Sequence, residues 1–171
     1  KLTWLHDGAG KTHLVIKNSA HTARVPLLLQ LYPNARFVLL KRDPIASIRS
    51  LVQVKQRLGG LMGFQAVPDQ VQQVEETVAA HAELMAAFEA SRAQIPPGQL
   101  VEVAYTDLMA SPITTVERIY RNLGIAGWQQ ARSSIQARVA QAVNYRPSPV
   151  QLNPAAEQRL QELIAQQPPH S

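Results

Sequence analysis

The stretch Ala35-Arg36-Phe37-Val38-Leu39-Leu40-Lys41-Arg42-Asp43-Pro44-Ile45-Ala46-Ser47-Ile48-Arg49-Ser50-Leu51 carries the two halves of a strand-to-helix turn. Phe37 to Leu40 are four consecutive apolar residues with an aromatic and a β-branched member, bounded by charge. Such a run predicts a short buried strand of the kind found inside parallel sheets. Asp43 followed by Pro44 predicts a helix start, because the carboxylate can accept from orphan backbone N–H groups and proline suits the first turn. Ile45, Ile48, Leu51 and Val52 follow at helical spacing and supply the face to be buried. Arg42 therefore falls where a strand's carboxyl end meets a helix N-terminus, beside free N–H groups and the positive end of a helix dipole. That combination is a site for an anion. Ser50 lies eight residues after Arg42, where its hydroxyl can help close around the same anion; Ser47 is the competing hydroxyl.

Upstream, His13-Leu14-Val15-Ile16 predicts a second short buried strand, ending in Lys17-Asn18-Ser19-Ala20-His21. Helix signals run from Val25 to Leu31, with Pro26 tolerable near the first turn, until Tyr32-Pro33-Asn34 breaks the run. Strand, helix, strand, helix with short connections predicts parallel β/α units, in which ligands bind at the carboxyl ends of strands. Lys17 and Arg42 are then expected at that end of two successive strands. Gly8-Ala9-Gly10-Lys11-Thr12 invites a phosphate-loop reading, but the first glycine of that motif would fall at Leu5 and a strand rather than a helix is expected next. It is expected to be a hairpin or connecting turn.

Downstream, Gly59 to Gly63 is expected to break the helix as a loop. From Pro68, the spacing of Val71, Val74, Val78, His81, Met85 and Phe88 predicts one long amphipathic helix, with His81 a packed histidine rather than a ligand. Ile95-Pro96-Pro97-Gly98 ends it. Leu100 to Val103 predicts a third strand, closed by Tyr105-Thr106-Asp107-Leu108, in which Asp107 is expected as a turn or cap residue. Ser111-Pro112 is expected to cap a helix with Val116, Ile119, Tyr120 and Leu123 on its apolar face and Gly124 as its stop. Trp128 to Val143 predicts a further helix, residues 144–153 a loop, and Asn153-Pro154 a last helix bearing Leu160, Leu163 and Ile164. Residues 166–171 are expected to fray. The whole is expected to be one domain spanning residues 1–171, of class α/β, with a parallel sheet flanked by helices.

The 171 residues suffice for one domain with a real core, and the start at Lys1 predicts a piece of a longer protein. No apolar run approaches the roughly 20 residues that span a bilayer. A cytoplasmic location is the expectation. The absence of cysteine excludes disulfides and thiolate metal sites. The net charge of +5 hides an asymmetry: residues 1–57 carry ten Lys/Arg against Asp7 and Asp43, a balance of +8, and the remainder balances to −3. A basic N-terminal part suggests an anionic partner, or a solvated basic face. Trp4, Tyr32 and Phe37 are its aromatics, and Phe37 is expected to be buried, so base stacking on nucleic acid is poorly supported.

Three segments in this order resemble the PAPS-dependent sulfotransferase family, whose members move a sulfuryl group from 3′-phosphoadenylyl sulfate (PAPS) to an acceptor. Val15-Ile16-Lys17-Asn18-Ser19-Ala20-His21 resembles the family's strand ending in a lysine with a histidine shortly after. Phe37 through Pro44 and on to Ser50 resembles its 3′-phosphate motif. Val101-Glu102-Val103-Ala104-Tyr105-Thr106-Asp107-Leu108, with Ser111-Pro112, resembles its Tyr-Glu-Asp-Leu segment. The resemblance spans residues 14 to 124. It implies a sulfotransferase architecture related to phosphate-loop NTPases, here incomplete at the N-terminus because the strand–loop–helix that wraps the 5′-phosphosulfate is not found. It implies that Arg42 and Ser50 hold the 3′-phosphate and that Tyr105 lies near the adenosine. Lys17 would lie against the sulfuryl group and leaving phosphate oxygen, and His21 would be the acceptor-hydroxyl base, unless it caps the helix beginning near Thr22. PAPS is then a co-substrate, no metal is expected, and the partner is a small-molecule, glycan or peptide hydroxyl (or amine) acceptor, with no nucleic acid. Asn18 departs from the family's usual Ser or Thr, and Asn144-Tyr145-Arg146 is a poor match to its C-terminal basic-glycine loop. The rival expectations are a nucleotide kinase of related architecture and a non-catalytic polyanion- or nucleic-acid-binding module.

Overall fold

The computed structural model describes residues 14–62, 66–142 and 150–167. The expected apolar run forms β1 (Phe37–Lys41), and it pairs in parallel with β2 (Leu100–Ala104) from Phe37 opposite Leu100 to Lys41 opposite Ala104. Because side chains alternate across a strand, this register sends Phe37, Leu39 and Leu100 to one face. There they meet Val25 of α1 (Val25–Leu31), Phe88 of α3 (Gln70–Arg92), and Ile95. Val101 and Val103 go to the other face and are covered by Leu108 of α4 (Tyr105–Ala110), Ile119 of α5 (Pro112–Asn122), and Leu123 and Ile125 beyond it. The mixed α/β expectation is met: a parallel pair with helices on both faces. The expected burial of Phe37 to Leu40 is not: Phe37 and Leu39 are half-buried, and Val38 and Leu40 stand exposed.

Asp43 starts α2 (Pro44–Met62) as expected: the Ala46 N–H donates to its carboxylate at 2.8 Å and the Ser47 N–H to its carbonyl at 3.0 Å. Ile48 and Val52 are buried with Val74 and Val78 of α3 and with Ala156 and Leu160 of α7 (Pro154–Ala165). Leu51 is not: it stands exposed with Val54 and Leu58, an apolar stripe at i, i+3, i+7. One helix turned toward two neighbours on one side leaves its other apolar side open. Gly59 does not break α2, which runs on to Met62. A Cβ there would stand 2.8 Å from Val67 Cγ2, so this glycine serves a close approach of the returning chain rather than a stop.

The long helix α3 starts on Asp69, whose carboxylate accepts from the Gln72 N–H, and His81 is half-buried within its stripe. Gly124 follows α5 with φ +59°, the left-handed conformation that favours glycine. Ser111 occupies the position before α5, but its side chain makes no capping hydrogen bond. α6 (Trp128–Ala142) starts where expected, its expected last residue Val143 lying outside the described residues, and Trp128 packs on Tyr120 with ring centroids 5.4 Å apart. Asn153 caps α7, its side-chain oxygen accepting from the Ala156 N–H at 2.8 Å.

The largest departure is upstream. Leu14 to Ile16 form no strand, and Val15 is 91% exposed. An apolar run becomes a strand only when a neighbour takes its backbone groups, and among the described residues β1 ladders with β2 alone. The chain instead turns through a 3₁₀ helix at Ser19–Ala23, capped by the Asn18 side chain accepting from the Ala20 N–H. The sequence-based expectations for residues 1–13, 143–149 and 168–171, including the Gly8 to Thr12 turn and Asn144-Tyr145-Arg146, lie outside the described residues.

Across the α2–α7 contact, Arg49 and Glu157 pair through both carboxylate oxygens, with the Arg49 Nε donating to Glu157 Oε2 at 2.8 Å. Arg49 holds the Glu157 carboxyl below the usual glutamate range against a smaller opposing effect of burial. A carboxyl depressed in the folded state binds fewer protons there than in the unfolded chain, so its contribution to stability is present above about pH 4.3 and is lost as pH falls through the folded value. Thermal melts between pH 6 and 3 are expected to show a shallower loss of Tm for Glu157→Gln than for the parent chain. Parallel curves would remove Glu157 from the acid transition.

Candidate functional site at the carboxyl end of the parallel pair

Residues 42 and 105 continue the register by one step, since every pair in the ladder is separated by 63 positions. Arg42 and Tyr105 therefore leave the sheet on the same face, the one that carries Val38, Leu40, Val101 and Val103. The contact follows: the Arg42 guanidinium carbon lies 4.7 Å from the Tyr105 ring centroid. Such a cation–π contact at an exposed site is worth about 0.5–1 kcal/mol. Its greater effect is orientation, because a guanidinium lying on a ring keeps its N–H edge for an anion. Tyr105 is itself fixed as the first residue of α4, directly after β2.

The helix N-terminus offers less than the sequence suggests. Pro44 has no N–H, and the Ala46 N–H is taken by the Asp43 carboxylate. Of the first-turn amides this leaves the Ile45 N–H, so the Arg42 side chain is the larger part of the positive charge at this end. Ser47 and Ser50 are half-buried on α2. Ser50 stands about 9 Å along the axis from Pro44, at 1.5 Å per residue. An anion touched by both Arg42 and Ser50 lies along the flank of α2, not at its tip.

Lys17 is exposed in a segment without regular structure and does not close a strand, so the expected pairing of Lys17 and Arg42 at two adjacent strand ends is not formed. The missing ladder beside Leu14 to Ile16 is the reason. His21 sits half-buried in the 3₁₀ turn that packs on α3, and its Nδ1 is buried without a hydrogen-bond partner among the described residues. Among the described residues its side chain makes no capping hydrogen bond; the Asn18 side chain caps the turn. The structure joins Arg42 to Tyr105. Among the described residues, no hydrogen bond, ion pair or ring contact links either of them to Lys17, His21 or Ser50. Asp107 pairs with Arg118 at 3.3 Å, and its carbonyl accepts from the Ser111 N–H and the Thr115 hydroxyl, the turn role expected of it.

Glu102 is the residue that sequence reasoning passed over. It lies on the opposite face of β2, where its carboxylate accepts from Lys41 Nζ at 2.7 Å and pairs with Arg92 at the end of α3. Lys41 chiefly, then Arg92, holds this carboxyl below the usual glutamate range although burial pushes the other way. The available signal was a lone carboxylate between Val101 and Val103, flanked by apolar residues that a strand would bury.

The model of the sulfotransferase family matches residues 2–130. The chain belongs to the sulfotransferase family. The mixed α/β fold agrees with that membership, and the Arg42–Tyr105 pair lies within the matched span. Two curated relatives are the omega-hydroxy-beta-dihydromenaquinone-9 sulfotransferases Stf3 of Mycobacterium bovis and Mycobacterium tuberculosis, each 25% identical over 146 residues. The aligned span covers 85% of this chain and 37% of each relative, so the chain spans little more than a third of their length. No solved structure matches. Among the described residues of this sulfotransferase chain, no helix is long and apolar enough to cross a membrane.

Proposed function

We propose that this chain supplies the 3′-phosphate end of the donor site in an enzyme that transfers a sulfuryl group from PAPS to the hydroxyl of a small molecule. The acceptor oxygen attacks sulfur, the bond from sulfur to the bridging phosphate oxygen breaks, and the acceptor proton passes to a base. The products are a sulfate ester and 3′,5′-ADP. Like phosphoryl transfer, the reaction asks the protein mainly for position and charge.

In this reading Arg42 pairs with the 3′-phosphate through its exposed N–H edge and Ser50 donates to the same phosphate from the flank of α2. Tyr105 orients Arg42 and lies toward the adenosine. Lys17 offsets charge on the leaving phosphate oxygen, and the His21 imidazole takes the acceptor proton. The observation that carries the reading is the Arg42–Tyr105 contact at the carboxyl end of two parallel strands. Support for the acceptor class comes from the curated relatives, named for a hydroxylated menaquinone. The exposed apolar stripe of Leu51, Val54 and Leu58, on the same helix as Ser50, suits an acceptor of apolar character.

Calorimetric titration of 3′,5′-ADP into the protein, with 5′-AMP as control, tests the donor assignment. A clear preference for the 3′-phosphorylated nucleotide is expected. Equal affinity for the two would overturn it and favour a site for phosphate in general.

A further inference from the structure

Lys41 and Arg42 are adjacent cations at the carboxyl end of β1, yet the structure treats them oppositely. Strand alternation sends Arg42 to the face of Tyr105 and Lys41 to the other face. On that other face Lys41 meets Glu102, which pairs in register with Leu39 and lies two residues back along β2 from Ala104, the register partner of Lys41. Glu102 is in turn gripped by Arg92, whose guanidinium also lies over the Phe88 ring, 5.7 Å from its centroid. The carboxylate is thus fixed from α3 and pulls the lysine away from the candidate anion site.

Alternation alone does not keep a lysine away. Its ammonium is a strongly hydrated point charge on a flexible four-carbon stem, and Lys41 is the last residue of its strand, so an untethered side chain can swing around the sheet end. A mobile ammonium attracts a phosphate from any direction, whereas a guanidinium held on a ring presents a fixed fork. Positional discrimination among phosphorylated nucleotides therefore needs the first removed and the second retained.

We propose that Glu102 is a specificity-determining residue of the donor site: by holding Lys41 on the far face of the sheet, it leaves recognition of the nucleotide's ribose phosphate to Arg42. This inference rests on the donor-site reading above. Glu102 touches no substrate; it acts through Lys41.

The test compares 3′,5′-ADP, 2′,5′-ADP and 5′-AMP by titration against the full-length chain and its Glu102→Gln, Lys41→Met and doubly substituted forms. The parent is expected to prefer the 3′ isomer. Glu102→Gln is expected to tighten 2′,5′-ADP about five- to tenfold, with a steeper salt dependence, while 3′,5′-ADP changes less than twofold, as a released ammonium adds attraction without direction. The double substitution is expected to restore the parent's ratio. Lys41→Met alone, which leaves Glu102 paired with Arg92, is expected to keep that ratio too, and it serves if Glu102→Gln folds poorly.

Parallel weakening of all three nucleotides in Glu102→Gln would make Glu102 a structural clamp and overturn the proposal. A threefold or greater loss of 3′,5′-ADP affinity in Lys41→Met would do the same, by making Lys41 a direct contact. No preference for 3′,5′-ADP in the parent overturns the donor-site reading together with this inference. A parent preference that survives unchanged in Glu102→Gln overturns the inference alone.

Discussion

Replacing Arg42 with alanine is expected to weaken 3′,5′-ADP binding by about 2–4 kcal/mol, roughly 30- to 1,000-fold, the range for losing a charge-assisted, desolvated phosphate contact. Affinity for 5′-AMP should hardly move, since it lacks the phosphate that Arg42 is assigned. Arg42→Lys should recover part of the loss, because an ammonium keeps the charge but loses the guanidinium's fork. The fold should be indifferent to both substitutions. Arg42 is exposed at a strand end and its contact with Tyr105 is worth little to stability. Equal losses for the two nucleotides would place the effect on the general field of the basic face. An unchanged 3′,5′-ADP affinity would sink the assignment.

Leu160→Ala is expected to cost about 2–5 kcal/mol of folding stability, the range for truncating a fully buried leucine. For a chain of this size that corresponds to a fall in Tm of roughly 5–20 °C, at about 2–4 °C per kcal/mol. Leu160 is 0% exposed where α7 presses on Ile48, Val52, Val74 and Val78. The same cluster positions α2, the helix that carries Ser50. Leu163, only partly buried against that cluster, should lose less on the same truncation. Chemical denaturation with the midpoint compared at constant slope would read both losses. A loss below about 1 kcal/mol for Leu160→Ala would mean that α7 is not part of the cooperative core.

Much of the candidate site was legible because its determinants are local. Four apolar residues followed by Arg42, Asp43 and Pro44 encode a strand, a charged corner and a capped helix within eight positions, and the cap forms as expected. Leu100 to Ala104, the Gly124 stop and the Asn153 cap belong to the same class. Motif order also carried the family, which the match over residues 2–130 establishes.

Other features escaped because they depend on partners. Leu14 to Ile16 have the composition of a strand, but backbone pairing is a property of two segments, and β1 pairs with β2. Leu51 and Ile48 are equally apolar and close on the same helix, yet only the side facing α3 and α7 is covered. Gly59 looked like a breaker until the return of Val67 gave its missing side chain a use.

By itself, then, the sequence determined the corner: which residue ends the strand, which carboxylate caps the helix, and that a guanidinium stands between them. Backbone sterics and hydrogen bonds reaching only a few residues suffice for that. Only the tertiary structure decided that Arg42 lies on Tyr105, 63 positions away, and that Lys41 is drawn to Glu102 on the opposite face. Both depend on the register of two strands whose intervening helices must first pack. A shift of one residue would send every one of those side chains to the other side of the sheet.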